Sequence, residues 1–232
     1  MIRLRQVGFS YREGEPVLAG LDLEIAPGLT LILGPNGCGK STLLKLAAGV
    51  ERPDSGRLDI DGRDLWVEEA AARRSLAYVP EHPDLTPYAT IEEIVTLTAR
   101  LRGEPVSAVA QALDLVGLRA LAGSSVRELS MGQRRRAVLA CARIGTPAHV
   151  LLDEPLEAMD RVAREEILAW TSGLVARGAV VVVVSHDLEP FAAAATRAVG
   201  IRDQRAVVVN PLPAEPGERR TSLERLARGI AP

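Results

Sequence analysis

The sequence predicts an α/β fold: a mostly parallel sheet, a small antiparallel β subdomain at the front, and an α-helical subdomain inserted ahead of a late core strand. Three observations carry this. Short apolar runs, "LTLIL", "HVLLD" and "VVVVV", alternate with segments of helical period, as in parallel strands buried on both faces. The first sixty residues contain strands with apolar and polar residues in alternation. The stretch from Thr90 to about Gly145 is helical in pattern throughout.

Taken in order, "IRLRQVGFSY" and "LAGLDLEI" alternate and read as strands, and Pro27-Gly28 turns the chain into "LTLIL". Leu43 to Ala48 continues an apolar helix, "GRLDIDG" is a strand between glycines, and "LAYVP" is a strand stopped by Pro80. Thr90 opens a helix with Glu93 three residues on, a capping box. "SAVAQALDLVG" has a helical period and ends at Gly117. After the buried strand "HVLLDEP" come an amphipathic helix, "DRVAREEILAWTSGLVARG", and a second buried strand, "AVVVVVSHD". "RAVGI" and "RAVVV" read as a terminal hairpin. From Pro211 the chain reads as a linker-like tail with a short helix at Ser222 to Arg228.

The length of 232 residues suits one domain with a subdomain, and 47% hydrophobic with 25% charged residues is ordinary for a globular protein. A net charge of −2 gives no field that would draw nucleic acid or an anionic membrane. Two cysteines make no secreted disulfide framework, and "MIRLRQVGFSY" has no apolar signal-peptide region. The longest β-branched run, Val180 to Val184, is far too short to span a bilayer. The expected location is the cytoplasm, with any membrane role supplied through a partner. Positive charge is almost all arginine, and the only lysines are Lys40 and Lys45.

"GPNGCGKST", Gly34 to Thr42, has the form G-x-x-x-x-G-K-[ST] between a buried strand and a helix. Glycines let backbone N–H groups converge on phosphate oxygens, and the helix N-terminus adds positive potential. Gly34, Asn36, Gly37, Cys38, Gly39, Lys40, Ser41 and Thr42 are the expected binding residues, with Lys40 on the β- and γ-phosphates and Ser41 offering a hydroxyl to Mg²⁺. The alternative, a glycine-rich turn without a ligand, leaves the lysine unexplained. In "HVLLDEP", Asp153 ends a buried strand beside that loop, where it would hold Mg²⁺ through water, and Glu154 faces the γ-phosphate and a water. A pair of solvated loop acids is the plainer reading. His186, past "VVVVV", is placed to hydrogen-bond the γ-phosphate and the attacking water. Cys38 lies at a helix N-terminus, which predicts a lowered thiol pKa, whereas Cys141 in "AVLACARI" should react slowly. "RELSMGQRRR", Arg127 to Arg136, taken alone is the solvated start of a helix.

The ordered set of phosphate loop, "ELSMGQ", "LLDEP" and "SHD" resembles the ATP-binding subunit of ABC transporters over about Ile2 to Val209. The resemblance implies a P-loop NTPase (RecA-like) core with the β and α-helical subdomains, ATP and Mg²⁺ as ligands, and ATP hydrolysis with Glu154, His186 and Lys40 as catalytic residues. It implies that Tyr11 stacks on adenine. Ser130, Met131, Gly132 and Gln133 form the signature that binds ATP held by the other subunit, and Asp160 crosses the dimer interface. Glu81, where most members have Gln, approaches the metal alongside Ser41 and Asp153. Met131 stands where the usual signature has Gly. "YVPEHPDLTP" looks like the variant of export-type, multidrug-group subunits.

The expected organisation is an ATPase domain over residues 1–210, its helical subdomain at about 86–147, and a C-terminal tail over 211–232. The implied partners are a transmembrane permease on a separate chain and a second copy or a paired ATPase subunit, with no nucleic acid. The protein would sit peripherally on the inner face of the cell membrane. A soluble relative acting on ribosomes or DNA is the rival, but one cassette without a coiled-coil insert or basic tract argues against it. A regulatory subunit with little turnover is disfavoured by Glu154 and His186.

Overall fold

The computed structural model describes residues 1–157 and 159–230. Strands β1 (Ile2–Arg12) and β2 (Glu15–Ile25) pair antiparallel, then β3 (Gly28–Leu33) enters the main sheet and leads to α1 (Lys40–Ala47). Strands β4 (Ser55–Ile60) and β5 (Arg63–Asp64) complete a four-stranded antiparallel sheet of order β2-β1-β4-β5. A short helix absent from the sequence pattern, α2 (Glu69–Arg73), precedes β6 (Leu76–Val79). The helical insertion follows: α3 (Ile91–Arg102), α4 (Ser107–Leu115) and α5 (Met131–Arg143). The chain returns through β7 (His149–Asp153), α6 (Arg161–Ala176), β8 (Val180–Val184), α7 (Glu189–Ala192), β9 (Ala195–Arg202), β10 (Arg205–Val209) and α8 (Pro216–Ala227).

The main sheet has the order β10-β9-β3-β8-β7-β6 and is parallel except for the β10 edge. Its apolar runs serve two cores. Leu29, Leu31, Leu33, Val181 and Val183 face α6 and α8 in the core that extends to the helical insertion, whereas Ile32, Val180, Val182 and Val184 share the core with α1 and the antiparallel sheet. That is the period-2 reason these strands carry no polar alternation.

The expected hairpin is present, closed by Asp203 and Gln204 at φ 48° and 65°. Its first strand also pairs with β3, so β9 belongs to the parallel sheet. The linker-like reading of the tail is corrected. Its helix runs from Pro216 to Ala227, and Leu212, Leu223 and Leu226 are buried in the core beneath it. Only two leucines among charged residues face inward, too sparse a pattern to show a packed helix in the sequence.

Candidate nucleotide-binding site

The phosphate loop leaves β3 at Leu33 and re-enters α1 at Lys40. Gly34 has φ 146°, and a Cβ there would lie 2.6 Å from Cys38 Sγ and 2.9 Å from the Ile201 carbonyl oxygen. Gly39 has φ 106° and opens α1. No other residue type fits these two positions without strain. No acidic residue occupies the first turn of α1, so its positive end is unopposed. Asn36 and Gly37 are exposed at the loop tip. Lys40 Nζ donates to the carbonyls of Gly34 and Pro35, each at 2.9 Å, which holds the ammonium across the loop mouth.

Ser41 and Asp153 lie near each other at the end of the sheet, close enough for the serine hydroxyl to favour the charged carboxylate. Asp153 is 2% exposed and its Oδ1 has no partner. Burial lifts its pKa above the ordinary value; the Ser41 hydroxyl, Lys45 and Lys40 pull it back, and Glu81 pushes it up. An orphaned buried carboxylate oxygen beside a hydroxyl fits a hard cation. No cluster of three or more His, Cys, Asp or Glu suited to a metal exists among the described residues. The arrangement therefore fits Mg²⁺, which takes few protein ligands and completes its shell with phosphates and waters.

Glu154 is buried, with φ 48°, a backbone region unusual for a residue with a side chain. Its N–H donates to the Val184 carbonyl at 2.9 Å, and its Oε2 accepts from the His186 N–H at 3.2 Å. Oε1 has no hydrogen-bond partner and lies 3.6 Å from His186 Nε2. Burial raises the Glu154 pKa, the His186 N–H and ring oppose it, and Asp153 and Glu157 add to it. The result is a carboxylate held open and inclined to accept a proton. The His186 side chain is two-thirds exposed, and Arg164 bonds the neighbouring Asp187 at 2.6 Å, which ties that loop to α6.

Tyr11 is half-exposed at the end of β1. Its hydroxyl accepts from Thr42 Oγ1 at 3.4 Å, and its ring sits 4.8 Å from Phe9 and 5.8 Å from Lys45 Nζ. Glu81 pairs with His82 at 3.6 Å and is near enough to Asp153 to repel it.

Ser130 is the N-cap of α5: its Oγ accepts from the Gln133 N–H at 3.3 Å, and Gln133 Oε1 accepts from the Ser130 N–H at 2.8 Å. Gln133 is thus used by the helix itself, while the Ser130 hydroxyl proton is still free to donate. Met131 is half-exposed and Gly132 is partly covered at this helix start. The signature residues share no hydrogen bond with the phosphate loop among the described residues. Asp160 caps α6 through the Ala163 N–H at 2.9 Å and pairs with Arg136 at 3.7 Å. The arginine run is not a solvated face. Arg134 donates to the Val126 carbonyl at 3.1 Å, and Arg135 is 3% exposed beneath the Asp153–Glu154 turn.

One sequence expectation is corrected. Cys38 has a raised thiol pKa, because burial outweighs the Lys40 charge and the backbone N–H groups that would lower it. Cys141 is likewise raised by burial, in line with a slow thiol. The sequence reading missed Arg135 and Arg102, since arginines in helices give no sign of burial, and His149, which is hidden at the start of a strand.

Residues 18–157 match the model of the ABC transporter family. The taurine import ATP-binding protein TauB of Pseudomonas aeruginosa is 38% identical over 86% of this chain and 76% of its own. The molybdenum import ATP-binding protein ModC of Rhodopseudomonas palustris is 34% identical over 81% of this chain, which spans about half (52%) of that relative's length. A dimeric post-hydrolysis structure of the ATP-binding cassette MJ0796, bound to ADP and Pi, superposes with a TM-score of 0.81. It is 26% identical over 90% of this chain and 98% of its own. No helix among the described residues is long and apolar enough to cross a membrane. The chain belongs to the ABC transporter family and carries its ATP- and Mg²⁺-binding ATPase domain.

Proposed function

We propose that this chain is the ATP-hydrolysing subunit of a transporter, closing with a second copy or a paired ATPase subunit around two ATP molecules and driving a separate transmembrane permease. The observation that carries this reading is the pair of neighbouring buried carboxylates with unpartnered oxygens, Asp153 Oδ1 and Glu154 Oε1, one beside Ser41 and the other beside His186. Ser41 and Asp153, with Glu81 nearby, would hold Mg²⁺, which when bound neutralises charge on the phosphates. Lys40 leaves the loop carbonyls for the β- and γ-phosphates. Glu154 accepts the proton of the attacking water, and His186 orients that water and the phosphate. Tyr11 covers the adenine. Ser130 and Gly132, at the positive end of α5, donate to the γ-phosphate held by the other subunit, with Asp160 at the same interface.

In this reading residues 1–210 form the ATPase domain, with the helical subdomain at about 86–147 and α8 packed onto the core. The chain lies peripherally on the inner membrane face through its permease. "PEHPDLTP" supports an export-type grouping, while the curated relatives are named as import proteins. ATP-driven closure is the same chemistry in both directions, so the permease sets direction and cargo.

Glu154→Gln keeps size and removes the base, so ATP should persist and the variant should sediment as a dimer with ATP. Adding Ser130→Arg should abolish that dimer while nucleotide binding at Lys40 survives. The cost to association should exceed roughly 2–3 kcal/mol, the scale of a charge-assisted hydrogen bond. Equal dimerisation of the single and double variants would reject the composite site.

A further inference from the structure

We propose that Arg135 is a positioning residue for ATP hydrolysis: its buried guanidinium fixes the backbone turn that aims the Glu154 carboxylate. The inference rests on the reading of Glu154 as the base. Arg135 comes from α5, the helix that Ser130 caps, and is 3% exposed. Its Nη1 donates to the Glu157 carbonyl at 3.0 Å and lies 3.5 Å from Glu157 Oε2. Its Nη2 donates to the Asp153 carbonyl at 3.4 Å and to the Glu154 carbonyl. One planar fork therefore holds three carbonyls of a single turn, a geometry that a lysine cannot reproduce.

That turn is the one that needs holding. Glu154 has a positive φ without being glycine, and such a conformation persists only where the surroundings fix it. The Val184 carbonyl fixes its N–H side at 2.9 Å, and Arg135 fixes its carbonyl side. Released on one side, the residue can relax toward negative φ, which rotates the side chain away from the His186 N–H. The carboxylate would remain chemically intact but point elsewhere. Arg135 makes no hydrogen bond to the phosphate loop or to Ser41, and it meets Asp153 at the backbone carbonyl and not at the carboxylate, so nucleotide binding should be spared.

The test uses the full chain with Arg135→Met, which fills the space without donors, and Arg135→Gln, which restores an amide donor. Glu154→Gln is measured alongside. Arg135→Met should lower kcat on the order of 100-fold, the scale of a misaimed catalytic group, with KM for ATP changed less than about twofold. Arg135→Gln should recover part of kcat. After incubation with Mg-ATP, Arg135→Met should retain intact ATP as Glu154→Gln does. The positioning role is overturned if Arg135→Met keeps wild-type kcat while Glu154→Gln is inactive. It is also overturned if kcat and ATP binding fall together with no recovery by Gln. Wild-type turnover in Glu154→Gln would instead overturn the base reading on which the inference rests.

Discussion

Asp153 and Glu154 are buried side by side although each would be cheaper to keep neutral, and the structure tolerates this where a cation and a phosphate are to arrive. Because their folded-state pKa values are raised, the native state holds protons more readily than the unfolded chain. Ligand-free stability therefore falls as pH rises from the ordinary carboxylate range through the raised values. Asp153→Asn removes that burden. It should raise the ligand-free thermal midpoint by about 2–4 °C, the equivalent of roughly 1 kcal/mol for a chain of this size. The added stability from Mg-ATP should vanish in the same scan, and a lower midpoint without ligand would contradict the burial argument. Cys38 gives a second test. With its pKa above the ordinary 9.0, alkylation should be slow at neutral pH and accelerate with alkali. Mg-ATP should protect it. Equal labelling with and without nucleotide, followed by mass spectrometry, would displace the phosphate site from this loop.

Elements were legible in the sequence in proportion to how uniform the environment of their residues is. β3, β7 and β8 are buried on both faces and read as apolar runs; the Thr90 capping box appears as expected, with bonds of 2.8 and 3.2 Å. The phosphate-loop glycines and the Asp153–Glu154 pair were legible because their chemistry demands those residue types at fixed spacing. Arg135 was not, since its partners are carbonyls, which leave no trace in the sequence. α8 was read only in its second half, and its packing was missed because its contact is two leucines wide. Leu226→Ala, facing Gly200 on β9, should cost roughly 2–5 kcal/mol in denaturant unfolding. A loss under 1 kcal/mol would return the tail to linker status. His149, at the start of β7, is 1% exposed, 3.3 Å from both Ser75 Oγ and Asp61 Oδ1, and 2.9 Å from the terminal amino group. Burial, then the amino group, depress its pKa below 6.5, with Asp61 opposing. Its neutral form stabilises the fold above the unfolded value, and that contribution is lost as pH falls through the folded one. His149→Gln should flatten the acid limb of stability by up to one proton, about 1.4 kcal/mol per pH unit. An unchanged limb would place the acid sensitivity elsewhere.

At the scale of the molecule, the sheet and the helical insertion are joined by apolar packing and by one side chain in particular. Arg102, the last residue of α3, donates to the carbonyls of Cys141, Ala142 and Ile144 at 3.0, 3.4 and 2.6 Å, and to that of Leu76 at 3.1 Å. The first three lie at the end of α5, where helical carbonyls run short of backbone donors; the fourth begins β6. A single guanidinium thus ties two helices of the insertion to an edge strand of the sheet. Arg102→Met keeps the aliphatic stem and its packing but removes the side-chain donor from these carbonyls, of which that of Cys141 keeps the Ile144 N–H. The loss should be roughly 2–3 kcal/mol, from buried acceptors left unsatisfied. It should be local, because β3 and β8 draw their protection from both cores and from strands on either side. Amide hydrogen exchange should therefore quicken across α3 and the last turns of α5, while β3 and β8 keep wild-type rates. ATP binding, built on β3, α1 and β7, should change little, whereas ATP-driven dimerisation should weaken because Ser130 rides on the loosened helix. Uniform acceleration over both regions would mean that the insertion and the sheet unfold as one unit. No acceleration would mean that packing alone holds the joint.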